Sequence, residues 1–219
     1  MRALIIAIAG TAAMASASPA LAAPGDILVK IRGGYVLHPG SSRVSIDVDG
    51  SAVTAKPEDS VGGEASLTFF MTDHIAAEIG FGGSSYDLKD PAGRTLSSAG
   101  LITPSATIQY HLLPDSKFFR PYVGVGVAYA NFYSEKAGEI LTDRDAPFPV
   151  SYSTGLKGGL APVGQIGADI AVNDQFYVNV DVKYLGSNTK FRVNEGGKSQ
   201  TFSHKMRSVV LGAGVGFRF

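Results

Sequence analysis

The chain has 219 residues, 19 Lys+Arg against 19 Asp+Glu and no cysteine. A formal net charge of zero gives no electrostatic basis for nucleic-acid binding, and without disulfides stability must come from closure or packing. Glycine is abundant at 27 residues and has no collagen period, which suggests strands and turns rather than helices.

Residues 1–22, MRALIIAIAGTAAMASASPALA, carry one early charge at Arg2, an apolar stretch from Ala3 to Ala9 and small residues up to Ala22. This is the three-part pattern of a secretory signal peptide, with cleavage expected after Ala22 or Ala23, leaving residues 23–219 as the mature domain. The alternative is an amino-terminal membrane helix, but its apolar part is short for a bilayer. No later stretch approaches the roughly 18 consecutive apolar residues of a spanning helix.

In the mature chain, ILVKIRGGYVL (27–37) alternates Val29, Ile31, Gly33, Tyr35 and Leu37 against a face holding Lys30 and Arg32. The polar stretch His38 to Ser60 follows, with a possible short hairpin around Asp49-Gly50. VGGEASLTFF (61–70) and IAAEIGFG (75–82) read as a tight hairpin with Glu64 and Glu78 on the more polar faces. A long connection, about Gly83 to Gly100, leads to LITPSATIQYHL (101–112), whose apolar face includes Pro104, Ile108 and Tyr110. After a short link, RPYVGVGVAYANF (120–132) sets Pro121, Val123, Val125, Val127 and Tyr129 opposite Arg120. The charged stretch Tyr133 to Lys157 reads as a third long connection with some local helix. GLAPVGQIGADIAV (159–172) carries Pro162 and Ile166 on one side, Gln165 and Asp169 on the other. FYVNVDVKYL (176–185) alternates most clearly, with Val178, Val180, Val182 and Tyr184 opposite Asn179, Asp181 and Lys183. A last polar connection, Gly186 to Met206, precedes the terminal strand, which ends GVGFRF and places Arg218 opposite Phe217 and Phe219.

Alternation alone also fits a secreted β-sandwich, with the valine face as its core. Eight strands joined by alternately long and short connections, an export signal, no cysteine and an aromatic terminal strand together favour a membrane barrel. The expected fold is therefore all-β, an eight-stranded antiparallel up-and-down transmembrane barrel. Its lumen would hold a charge network of Lys30, Arg32, Glu64, Glu78, Arg120, Asp169, Asp181, Lys183 and Arg218. A barrel of this size has interior room only for side chains or one small ligand, which excludes a wide aqueous pore. Tyr110, Phe118, Phe119, Phe132, Phe176, Tyr184 and Phe219 fall near strand ends, where interfacial rings are expected.

The stretches TPSATIQYHL (103–112), FRPYVGVGVAYANFY (119–133), VGQIGADIAVNDQFYVNVDVKYL (163–185) and GAGVGFRF (212–219) resemble the outer-membrane protein W family, OmpW, of Gram-negative bacteria. The resemblance covers essentially all the strands. It implies an outer-membrane barrel with both termini on the periplasmic side and a narrow apolar interior admitting small hydrophobic molecules, with lateral escape into the membrane. It also implies assembly by machinery that reads a terminal aromatic residue, here Phe219. The chain departs from the family's pattern in having no tryptophan and a mostly polar first long connection. The expected function is passive uptake of small apolar solutes by a barrel whose partners are outer-membrane lipids; the alternative is a structural or adhesive barrel without transport. Pro104, Pro121 and Pro162 remove ladder donors and are candidate irregularities in the wall.

Other chemistry is weakly signalled. GVGVAY and GAGVG do not open a helix after a strand, so they do not make a phosphate loop. DVDGS with Glu58 has the wrong spacing for a calcium loop, and His38, His74, His111 and His204 show no zinc spacing. Ser203-His204 are sequence neighbours on an expected loop, which is poor evidence for serine–histidine geometry, and no enzyme, cofactor or metal is expected.

Overall fold

The computed structural model describes residues 24–39, 44–48, 51–142, 152–195 and 198–219. The signal-peptide reading at 1–22 and the turn at Asp49-Gly50 lie outside them. The elements are β1 (Ile27–Leu37), β2 (Val44–Val48), β3 (Ser51–Pro57), β4 (Ser60–Phe70), β5 (Ile75–Lys89), β6 (Thr95–His111), β7 (Phe119–Ala137), α1 (Glu139–Thr142), β8 (Tyr152–Lys157), β9 (Gly159–Ala171), β10 (Phe176–Glu195) and β11 (Lys198–Arg218). Eight strands, β1, β4, β5, β6, β7, β9, β10 and β11, form a closed antiparallel barrel. Closure is made by β1 against β11, from Leu28↔Arg218 to Leu37↔Val209. The β2–β3 hairpin joins the wall through Lys56↔Lys89, and β8 lengthens it beside β10.

The period-two pattern fixes which side faces out. Ile31, Ile79, Phe81, Val125, Ile166 and Val215 are exposed on the outer surface, while Lys30, Glu78, Gln109, Gln165, Asp169 and Asn179 are buried inside. An apolar outside around a polar inside is stable only with lipid as the outer solvent. Exposed rings mark two levels. Phe69, Tyr110, Phe118, Phe119, Phe176 and Phe219 ring the end with the short turns, and Tyr35, Tyr129 and Tyr184 ring the other. From Phe176 to Tyr184 the strand rises about 26 Å at roughly 3.3 Å per residue. A tilt of about 40° reduces this to ~20 Å, close to the ~25 Å apolar band of such barrels.

The short turns are held locally. Asn173 Oδ1 accepts from the N–H groups of Gln175 and Phe176 at 2.9 Å each, and Thr72 Oγ1 accepts from the N–H of Ile75 at 2.9 Å. Where walls crowd, glycine is required: a Cβ on Gly214 would lie 2.0 Å from the Ile31 carbonyl oxygen, and one on Gly126 equally close to that of Ala106.

Three sequence expectations need correction. The described parts of 83–100 and 186–206 are mostly not loops but continuations of the wall. β5 and β6 run on to a tight turn in which Asp90 Oδ1 accepts from the N–H groups of Ala92 and Arg94, and β10 and β11 stay paired to Glu195↔Lys198. Ser203 and His204 accordingly lie within β11. Phe132 is not an interfacial ring. It points inward, buried edge-on against Tyr86 at 5.2 Å between centroids.

Candidate functional site

The lumen is filled in three layers. At the end with the short turns, Leu28, Phe70, Ala76, Ala171 and Tyr177 pack into an apolar floor. Above it the inward positions of β1, β4, β5 and β10 are charged. Lys30 Nζ lies 3.0 Å from Glu78 Oε2 and 3.8 Å from Asp169. Arg32 reaches Glu78 and Asp181, each at 3.3 Å, and also contacts Glu64. Lys183 contacts Glu64 and lies 3.3 Å from Glu78. Neutral side chains complete the shell: the Thr68 hydroxyl donates to Glu78 at 3.0 Å, and the Asn179 amide donates to Asp169 at 2.8 Å. Opposite charges this close and shielded from water attract one another far more strongly than at the surface.

Seven of the nine residues read as a charge network thus meet in one layer. Two stand apart. Arg120 donates to the Tyr177 hydroxyl at 2.9 Å and lies over its ring, and Arg218 lies 3.6 Å from Asp26 near the terminal mouth. Phe219 is exposed on the outer wall, its N–H donating to the Ile27 carbonyl at 2.9 Å.

Above the charges the lining becomes apolar. Tyr86, Leu88, Leu96, Leu101, Phe132, Ile140, Leu141, Leu156, Phe191, Val193 and Met206 form one buried cluster, continued down one wall by Ala128, Ala161, Val163 and Leu185. Between the layers lies a cavity of about 60 Å³. Arg32, Glu64 and Asp181 are its charged side, Leu101, Leu185 and Met206 its apolar side, and Gly34, Gly62, Gly82 and Gly212 part of its wall. That space holds only a few atoms, so a larger occupant requires the apolar side chains to move.

The resemblance implies an apolar interior, but alternation along the chain does not locate this chamber. The expectation of a polar outer end treated its residues as loop, whereas the alternation continues with its phase reversed. On β10, Asn179, Asp181 and Lys183 point in below Tyr184, but Phe191 and Val193 point in above it while Lys190 and Arg192 point out. The stretches KFRV (190–193) and YDLK (86–89) carried that signal.

The three prolines are not equivalent. Pro104 pairs with Phe81 on β5, but on its other side the β6–β7 register passes from Ile102↔Asn131 to Ser105↔Ala128. Thr103 and Pro104 lie in that break in the ladder. Pro162 sits opposite Val127 across β7, so these two flank the same stretch of wall; Pro121 pairs with Ala168 nearer the short-turn end. Among the described residues no group of three or more His, Asp or Glu side chains could hold a metal ion.

Comparison with known proteins agrees with this architecture. The OmpW family profile matches residues 23–219. An uncharacterized outer-membrane protein of Sinorhizobium fredii is 32% identical over 201 residues, covering 87% of this chain and 79% of that one. Outer membrane protein W of Escherichia coli is 26% identical over 156 residues, covering 70% and 71%. The crystal structure of the outer membrane protein OprG from Pseudomonas aeruginosa superimposes with a TM-score of 0.70 at 21% identity, covering 93% of this chain and 99% of that one.

Proposed function

The chain belongs to the OmpW family and is a Gram-negative outer-membrane barrel, not an enzyme; on that premise we propose that it is a narrow channel for passive uptake of small hydrophobic molecules. The observation that carries this reading is the order of the layers, an apolar chamber outside a closed ionic layer. An apolar solute that leaves water for the chamber gains roughly 25 cal/mol per Å² buried, so about 100 Å² of contact gives ~2.5 kcal/mol without energy input. Ions gain nothing there and meet the paired charges below. In our reading the seven charges of that layer act as the barrier, with Arg120 and Arg218 supporting its lower edge.

A closed lower lumen directs the solute sideways. We assign the exit to the break beside Pro104, with Pro162 across β7 as the second weak point, because a missing ladder bond lowers the cost of parting β6 from β7. Pro121 lies too far along the strand to share that role. Residues 1–22 are assigned as the export signal, cleaved after Ala22 or Ala23, and Phe219 as the residue read by the outer-membrane assembly machinery.

Liposomes carrying the protein should take up a small apolar fluorescent probe faster than empty ones while their ionic conductance stays near background. Equal uptake by both would remove the transport reading. It would leave the structural or adhesive barrel, which the charge pairs across the lower lumen also suit.

A further inference from the structure

Above the upper ring of tyrosines, the outer face of β8, β10 and β11 is strongly basic. Lys190 and Arg192 on β10, Lys205 and Arg207 on β11 and Lys157 on β8 are all exposed, and Glu135 is the one acid lining the recess that Lys157, Lys190 and Arg192 share. Lys157 sits directly across the ladder from Lys190, a pairing of like charges that is unfavourable without an anion between them. Beside it lies a recess of about 500 Å³ lined by Glu135, Lys157, Lys190, Arg192 and Thr201. Its one carboxylate already accepts from the Leu156 N–H at 2.7 Å. The opposite flank is mixed, with Glu58, Asp59 and Asp87 among Lys56 and Lys89.

The height of the patch identifies its occupant. Arg207 is two residues beyond Val209, the cross-strand partner of Tyr184, and Lys190 is six beyond Tyr184 itself. At roughly 3.3 Å per residue and a tilt of about 40°, the cations are staggered from ~5 Å to ~20 Å above the lipid belt. A glycerophospholipid headgroup spans only about 5–8 Å. A headgroup built of several phosphorylated sugars spans the whole ladder of charges. The face also looks sideways along the membrane, toward neighbouring lipids.

We propose that this face binds the phosphorylated glycolipid of the outer leaflet, with Lys157, Lys190 and Arg192 gripping phosphates on its saccharide headgroup. Each cation near such a surface contributes about a fivefold gain in affinity, so removing three weakens binding on the order of a hundredfold. The binding is independent of transport and rests only on the barrel's place in the outer membrane.

Native mass spectrometry of the full-length barrel in detergent tests this, with bisphosphorylated lipid A bearing inner-core sugars as probe. A saturable adduct is expected that dephosphorylation of the glycolipid abolishes, and that phosphatidylglycerol and inorganic phosphate match only at tenfold or higher concentration. Lys157→Gln/Lys190→Gln/Arg192→Gln should weaken it about a hundredfold, whereas Lys56→Gln/Lys89→Gln on the mixed flank should leave it within twofold. Folding of each variant is checked by its heat-dependent gel shift. Salt titration of the unaltered protein gives a second readout, since an electrostatic grip loosens as ionic strength rises. Unchanged affinity in the triple variant, equal binding of the dephosphorylated glycolipid, or binding insensitive to salt would each overturn the proposal. Equal competition by inorganic phosphate would reduce the site to a general anion recess and overturn the assignment to lipid.

Discussion

Glu78 is the hub of the ionic layer, and replacing it should be costly in a specific way. Its carboxylate lies 3.0 Å from Lys30 and 3.3 Å from both Arg32 and Lys183, with Ser66 and Thr68 donating at 3.3 and 3.0 Å. At an effective dielectric of about 20, a pair 3.0 Å apart attracts by roughly 5–6 kcal/mol, offset by several kcal/mol for removing each ion from water. Glu78→Leu keeps the cost of burying the three cations and loses the attraction, so the barrel should lose about 3–5 kcal/mol. Lys30→Met should cost less, because Glu78 retains Arg32 and Lys183. The double variant removes both ions of the shortest pair that Glu78 makes and should be at least ~2 kcal/mol more stable than the sum of the single losses predicts. Urea unfolding in lipid vesicles followed by circular dichroism measures all three, tryptophan fluorescence being excluded because the chain has no tryptophan. A loss under about 1 kcal/mol for Glu78→Leu, or single losses that add within about 0.5 kcal/mol, would refute the claim that the layer holds together by mutual neutralisation.

Phe191→Ala should cost about 3–5 kcal/mol by the same unfolding measurement, since the ring is fully buried in the apolar chamber. Gly214→Val should lower the yield of heat-modifiable barrel, because its Cβ has no room beside the Ile31 carbonyl. Pro104→Val restores a ladder donor at the break between β6 and β7, so apolar-probe uptake should slow severalfold; unchanged uptake would move the exit elsewhere. Burial holds the His38 imidazole below its ordinary value of 6.5 despite the neighbouring Asp59. The unfolded chain therefore takes up that proton first, and the stabilisation, complete above about pH 6.5, is lost as pH falls through the lower folded value. Hydrogen-exchange protection at the outer end of β1, corrected for the intrinsic pH dependence of exchange, should fall between pH 7.5 and 5, and His38→Phe should flatten that change.

What the sequence made legible follows from where a single rule holds. Within the bilayer every outward position meets hydrocarbon, so Val178, Val180 and Val182 against Asn179, Asp181 and Lys183 declare both face and environment. The same rule placed Lys30, Arg32, Glu64 and Glu78 indoors without any knowledge of their partners. Above the tyrosine ring the outer solvent becomes water, and inside and outside exchange polarity. Lys190 and Arg192 then read as loop charges, and Phe191 and Val193 between them were passed over. Phe132 departs for the same reason: an aromatic near a strand's end reads as interfacial, though its strand continues to Ala137. Which charges touch was not legible at all. Arg120 and Arg218 alternate like the rest, and only the stagger between strands separates them from the Glu78 cluster.

The seam between β1 and β11 sets the order in which this protein can come into being. Leu28 finds its partner in Arg218, and Leu37 in Val209, so the first wall strand to leave the ribosome has one neighbour that is made almost last. Hairpins such as β4–β5 need no such wait, but the barrel cannot close before that neighbour arrives. Closure of the wall is therefore post-translational by construction.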